Sequence, residues 1–401
     1  PKEGNPFCDQ WIKGTFCCKN EKKTVDGFYD GDGVYKVRFM PSFTDEYTFE
    51  IEASFDINAE YKLGTADGGK AAEKCAVRNI LTGIFTVIPP SADNHGPVRV
   101  AGTYYLAYED GTPYHCIGTT CYVWNLQNEE LQKQTLKTLE ENAFNKIRFC
   151  IFPKHYDYNL HEPITYPYEG TPCDSSVLNE NNFAEYNGCA PGNDWDFTRF
   201  NPAHFQHIEK CIQALMKLGI EADLIVMHPY DRWGFSMMKA EDDDRYWKYV
   251  LARFSAYRNV WWSLANEYDL MHEKTLSDWE RYAGIICEKD PYHHLRSIHN
   301  CKAYYDYNLP WITHCSVQRT ETYRSSELVN EWREKYHKPV ILDEICYEGN
   351  IQFGWGNISG EEMTRRFWEA FCRGGYPGHG ETYLSPDRIL WWSHGGVLHG
   401  T

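Results

Sequence analysis

"VWWSLANEYDL", residues 260–270, runs six residues of strand-like, mostly apolar chain into an amide and a carboxylate, Asn266 and Glu267, before the pattern turns polar. A strand buried on both faces reads as a near-continuous apolar run, as strands do in parallel sheets covered by helices. It has no use for a carboxylate at its end, so that end is where chemistry is expected. The same grammar recurs along the chain. "HCIGTTCY" (115–122), "KIRFCIF" (146–152), "IEADLIVMH" (220–228), "LRSIHN" (295–300), "ITHCSVQ" (312–318), "PVILDEI" (339–345) and a segment within 378–393 complete a set of eight strand candidates with 260–266. Amphipathic stretches separate most of them, such as Phe205, Ile208, Ile212 and Leu215, or Tyr246, Tyr249, Val250 and Phe254. Strand then helix, repeated, implies a parallel sheet. Eight such units in roughly 290 residues suit a (β/α)₈ barrel, with its site at the carboxyl ends of the strands. A doubly wound open sheet would carry a Gly-rich turn after its first strand, and "GTTCYVWN" (118–125) has none.

Three irregularities stand out. Residues 301–311 are too short for a full helix between the fifth and sixth strands. Residues 153–202 are rich in Asn, Pro, Gly and aromatic residues and read as an ordered lid, since loops of that length are commonly functional. After the eighth strand no helical pattern follows "WWSHGGVLHGT", so the barrel either closes without a last helix or is clipped.

Residues 1–100 have a different grammar. "GVYKVRFMP" (33–41), "EYTFEIEASF" (46–55) and "GIFTVIPP" (83–90) alternate apolar with polar residues, and "YDGDG" (29–33) is a turn. A small β-sandwich over 1–100 and a barrel over 101–401 is the expected division. The sandwich reads as a brace for its neighbour.

Composition narrows the function. The 401 residues carry a net charge of -17, which argues against nucleic acid, whose phosphates require clustered Lys and Arg. No stretch approaches a membrane span, and "PKEGNPFCDQW" has no apolar leader, so a cytoplasmic protein is expected, or a secreted one where a leader has been removed. Fifteen Cys, an odd number at irregular spacing and without a C-x-x-C pair, fit reduced thiols and no structural metal. Cys150, Cys211, Cys287 and Cys372 read as small buried hydrophobes. "EDDDR" (241–245) reads as a solvated helix start. No cofactor is expected, and the sequence carries no cue to oligomeric state.

A second carboxylate ends the seventh strand, where "PVILDEICYEG" (339–349) places Asp343 and Glu344. Strand alternation turns Asp343 toward the helix layer and leaves Glu344 in the mouth. Two carboxylates opposed across one barrel mouth suggest glycosidic bond hydrolysis. Glu381, in "GHGETYL" (378–384), is a third mouth candidate, suited to binding a hydroxyl. Either carboxylate alone would more often cap a helix than catalyse. Asn-Glu after the fourth strand and Glu after the seventh resemble the clan A glycoside hydrolases, which include cellulases, mannanases and β-galactosidases. "VDGFYDGDGVYKVRFMP" (25–41) is similar to the β-sandwich often found ahead of such barrels. "HGPVRV" (95–100) with "YEDGTPYHCIGTTCYVW" (108–124) resembles the start of a family-five-like or apiosidase-like barrel.

The resemblance implies that Glu267 is the acid/base and Glu344 the nucleophile of a retaining β-glycosidase acting on plant-type poly- or oligosaccharides. It implies that Asn266 meets the sugar's 2-hydroxyl and that Arg148 holds the nucleophile ionised. His228, Tyr230 and His299 fall where the clan places sugar-binding or carboxylate-orienting groups, and Trp391 or Trp392 where it places a stacking platform. After the sixth strand the chain offers His314 or Gln318 where many members have a His or Tyr. The competing reading is a catalytically silent carbohydrate-binding barrel. Separately from that choice, the plainer reading of each residue makes His228, His299, His314, Trp391 and Trp392 packing residues and has Arg148 merely neutralise another buried acid.

Overall fold

The computed structural model describes residues 4–57, 74–77, 79–319, 321 and 324–400. Eight parallel strands form one sheet: Gly118–Thr120, Lys146–Cys150, Glu221–Met227, Val260–Ala265, Arg296–Ser297, Cys315–Gln318, Val340–Glu344 and Tyr376–His379. The order follows the chain, with the first strand paired to the eighth as well as the second. A parallel bridge between His299 and Ser316 joins the fifth strand's continuation to the sixth and completes a (β/α)₈ barrel. Each expected run contains a strand, although the eighth begins at Tyr376, two residues ahead of the expected window. Described residues of these strands are almost all buried, as a sheet covered by helices on one face and filled on the other requires.

The helices start where local chemistry satisfies their free N–H groups. Asn128 caps Glu129–Glu140, Asn201 with Pro202 starts Pro202–Lys217, Thr275 and Asp278 form a capping box on Leu276–Lys289, and Ser359 caps Gly360–Cys372. Ala240–Phe254 and Val329–Tyr336 complete the larger helices among the described residues. No helix lies between the fifth and sixth strands, as the short connection required. The "EDDDR" segment is not simply solvated. Asp243 is buried, where it accepts from the Lys274 ammonium at 2.6 Å and the Tyr282 hydroxyl at 2.6 Å. Cys150 and Cys211 are buried thiols, whereas Cys287 and Cys372 lie on the solvent side of their helices.

At the N-terminus Ile12–Cys17, Lys22–Asp26, Glu46–Ala53, Lys74–Val77 and Ile80–Thr86 make a five-stranded antiparallel sheet. The stretch expected as a strand at 33–41 pairs only through Tyr35–Lys36. Beyond it the chain is held by packing rather than by a ladder: Phe39 stacks on Phe16 at 4.2 Å. An antiparallel hairpin, Val98–Ala101 with Tyr105–Tyr108, straddles the expected boundary at residue 100. Its Val98 and Leu106 pack with Tyr114, Cys116, Trp261, Leu295, Ile341 and Tyr376 as a separate apolar cluster.

The lid expected over 153–202 is ordered around its own hairpin, Tyr168–Thr171 with Asp194–Phe200. Most of its aromatic residues pack inward, with Tyr166, Tyr168, Trp195 and Phe197 around Trp233 and Phe235. Among its aromatic residues Tyr156 reaches the barrel mouth, its ring 5.2 Å from Tyr230 and 5.8 Å from Trp392.

Candidate active site

Inside the barrel, below the mouth, the second strand turns Lys146 and Arg148 inward. Lys146 Nζ lies 2.7 Å from both Asp223 and Asp343, and Arg148 Nε lies 3.7 Å from the same two carboxylates. Ser316 Oγ also donates to Asp343, at 2.5 Å. Asp343 therefore faces the barrel interior, not the helix layer as alternation suggested. It shares that side with Ile341, two residues earlier, and a register irregularity follows: Val317 pairs with Leu342, but Gln318 pairs with Glu344. One extra residue on the seventh strand lets Asp343 and Glu344 share a side. Two cations beside it hold the Asp343 carboxyl far below its usual range.

Above this cluster stand Glu267 and Glu344, both buried. Glu267 has left strand geometry: its φ of 53° is left-handed, a conformation that costs energy for a residue with a side chain and collects at functional sites. Its carboxylate accepts from the Tyr230 hydroxyl, from Gln318 Nε2 at 3.0 Å and from Asn266 Nδ2 at 3.1 Å. Glu344 accepts from the Tyr122 hydroxyl and from Arg148 Nη1 at 3.5 Å, with His299 Nε2 at 3.9 Å. Asn266 joins the two halves. Its Oδ1 accepts from Arg148 Nη2 at 3.1 Å and stands 3.2 Å from the Tyr122 hydroxyl, while its amide holds Glu267.

The electrostatics follow from this crowding. Burial, then the Glu267 charge, push Glu344 up to about 7, and Arg148 opposes them without prevailing. Arg148 pairs with the deeper Asp343 and Asp223 and also touches Glu344. A second buried carboxylate in the same site thus makes Glu344 harder to ionise.

Several candidates lie elsewhere. Trp391 is buried against the first strand's outer side, its Nε1 donating to Thr119 Oγ1 at 2.8 Å, so it is packing and no platform. Trp392 is at the mouth, its ring 5.5 Å from Tyr122 and 6.0 Å from Tyr347. Glu381 does not meet the pair. It accepts from the backbone N–H groups of His399 and Gly400 at 2.9 and 2.6 Å, tying down that segment. His228 faces the Phe152 carbonyl, 3.4 Å from its Nε2, and burial pushes its pKa down to about 3; no contact of it reaches either carboxylate. His314 lies deeper, its ring 5.6 Å from Trp261, so Gln318 fills the sixth-strand position and serves Glu267.

Glu348, His379 and Glu381 bring three buried side chains of metal-ligating type within 4.8 Å. Two of Glu381's acceptor positions are already taken by backbone N–H groups, which fits a structural tie.

Sequence reading passed over Tyr122, Lys154 and Tyr347. Tyr122 and Lys154 follow the first and second strands directly, and that position at a strand's carboxyl end was the available signal. Lys154 is 2% exposed, with Tyr122, Tyr230 and Trp392 ring centroids 3.5, 4.3 and 4.4 Å from its ammonium.

The comparisons with known proteins agree with this geometry. A family model described as the apiosidase-like catalytic domain matches residues 101–394, and one described as a domain of unknown function, DUF5060, matches residues 1–54. A candidate glycoside hydrolase from Bacteroides vulgatus ATCC 8482 is 42% identical, with a TM-score of 0.87 over 100% of this chain and 73% of its own. A family 5 glycoside hydrolase from the same organism shares the fold at 17% identity and a TM-score of 0.54, over 74% of this chain and 68% of its own. Among curated proteins none matches. No described helix is long and apolar enough to cross a membrane. With its barrel, its paired carboxylates and a family match over most of its length, the chain belongs to the apiosidase-like family and is a glycoside hydrolase.

Proposed function

We propose that the protein is a retaining β-glycosidase of plant-type poly- or oligosaccharides, with Glu344 as nucleophile and Glu267 as acid/base. The observation that carries this reading is the hydrogen-bonded continuity of the two buried carboxylates through Asn266 and Tyr122. In the first step the Glu344 carboxylate attacks the anomeric carbon while the Glu267 carboxyl gives its proton to the leaving oxygen. In the second, Glu267 takes a proton from water, whose oxygen attacks the same carbon and frees Glu344.

The raised affinity of Glu344 for a proton is compatible with this order. Part of it comes from the charge on Glu267, and that part vanishes when Glu267 holds the proton. Arg148 and the Tyr122 hydroxyl then favour an ionised Glu344. Tyr230, whose hydroxyl both donates and accepts, stays paired with Glu267 in either state. Asn266, fixed by Arg148, Tyr122 and Glu267, is suited to the sugar's 2-hydroxyl, and Trp392 to a ring face. Carboxyl groups about 5–5.5 Å apart accompany retention, and about 6.5–9.5 Å inversion.

E344A should lose more than about 10⁴-fold in kcat, beyond what acid–base help alone supplies. Azide should then restore a glycosyl azide of the opposite anomeric configuration. Undiminished hydrolysis by E344A would remove the assignment. A reducing-end assay over β-glucan, mannan, xylan, galactan and aryl glycosides identifies the sugar.

A further inference from the structure

Lys154 is the buried cation for which the proposed double displacement has no use. Its ammonium makes no ion pair or hydrogen bond among the described residues, and only longer-range charge acts on it. Instead it lies 3.5 Å from the ring centroid of Tyr122 and 4.3 Å from that of Tyr230, with Trp392 at 4.4 Å and Tyr156 at 5.5 Å. Tyr122 and Tyr230 are the two hydroxyls that hold the carboxylates, the first on Glu344 and the second on Glu267. One cation therefore touches both halves of the site through ring faces.

We propose that Lys154 is a positioning residue for the carboxylate pair: its ammonium clamps the rings of Tyr122 and Tyr230 and, through their hydroxyls, fixes Glu344 and Glu267 together. The inference rests on the reading of the pair given above. A cation on a desolvated aromatic face is attracted by the ring's quadrupole, which favours one ring orientation. It also draws electron density from the phenol and makes each hydroxyl a stronger donor to its carboxylate.

Charge balance supports the same role. The deeper cluster matches Lys146 and Arg148 against Asp223 and Asp343. In the proposed mechanism the mouth pair carries one negative charge when poised for attack, on Glu344, and one in the glycosyl-enzyme, on Glu267. Lys154 is the cation that offsets it at both stages. The other groups facing Lys154 carry no competing charge near neutrality. Burial pushes the Cys150 thiol up to about 12 and the Tyr122, Tyr156 and Tyr230 hydroxyls upward, while it pushes His228 and His394 down to about 3 and about 4. Among the charged neighbours this leaves Glu267, Glu344 and Arg148.

Burial pushes Lys154 itself down to about 8, so its charge is present below that pH and lost above it. The test is a tryptophan-fluorescence titration of the wild type, K154M and K154R, beside thermal unfolding and aryl glycoside kinetics. The wild type should show a step near pH 8, as the ammonium leaves the Trp392 face. K154M and K154R should lack it. K154M should keep its KM while kcat falls about 10²-fold, the cost of a slight misplacement of reacting groups. K154R should recover part of that loss and hold its rate above pH 8. A step that survives in K154M, or wild-type kcat in K154M, overturns the proposal, and so does a rise confined to KM, which marks a substrate contact. Should K154M fail to fold, absence of the step from K154R still supports the assignment and its persistence there overturns it. The titration needs no substrate, so its failure removes Lys154 alone, whereas full activity in E344A removes the reading of the pair.

Discussion

The barrel holds two sets of buried charges, one above the other, and they are built on opposite terms. In the lower set Lys146 and Arg148 face Asp223 and Asp343, two cations against two anions. In the upper set Glu267 and Glu344 are two carboxylates, held by neutral donors and by one edge of Arg148, while the nearby ammonium of Lys154 lies against rings, without an ion pair among the described residues. Burial costs a charge heavily unless it is paired. The lower set meets that requirement and is structural. The upper set leaves it partly unmet, which raises the Glu344 carboxyl above its ordinary range, as acid–base sites do to their carboxyls. Arg148 is the shared member, so the mouth is anchored to the saturated cluster beneath it.

Breaking the lower set should have the largest effect on stability. K146M leaves Asp223 and Asp343 without their closest cation, and loss of one partner from a buried ion pair costs about 3–5 kcal/mol. Denaturant unfolding measures it, and a loss within error would show that the cluster is not the anchor described.

The upper set should behave in the reverse sense. Glu344 binds its proton more tightly in the folded chain, so its contribution to stability is full below pH 4.5 and declines as pH rises toward 7. E344Q has no such proton to lose. Its stability relative to the wild type should therefore rise across that window, by on the order of 3 kcal/mol. A difference independent of pH would contradict the crowding of the pair.

The smallest effect belongs to Trp391. W391F loses the hydrogen bond to Thr119 and should cost about 1 kcal/mol in stability while leaving kcat unchanged. A fall in kcat would return Trp391 to the sugar site.

The sequence made the barrel legible because each strand is an apolar run that stops abruptly at a polar group, as at Asn266 and Glu267. Those breaks also drew attention to Glu267 and Glu344, whereas Arg148, Tyr230 and Gln318 were reached only through the family resemblance. Other features depended on distances that no local pattern carries. The register irregularity at Gln318 and Glu344 lets Glu344 share a side with Asp343, and strand alternation cannot foresee it. Trp391 and Trp392 are adjacent in sequence, yet only the second reaches the mouth, because a short helix, Trp391–His394, separates their directions. Glu381 looked like a mouth residue until the backbone of His399 and Gly400 was seen to occupy it. Tyr122 and Lys154 were hidden by type: an aromatic residue and a lysine beside a strand read as packing and as surface, and their roles emerge only from each other's position.

The most direct test of the central claim is covalent trapping. A 2-deoxy-2-fluoro glycoside of the sugar identified by the hydrolysis panel slows the second displacement, and peptide mass spectrometry then locates the label. The expected result is one glycosyl group esterified to Glu344. A label on Glu267, or inactivation with no label on either carboxylate, would contradict the account.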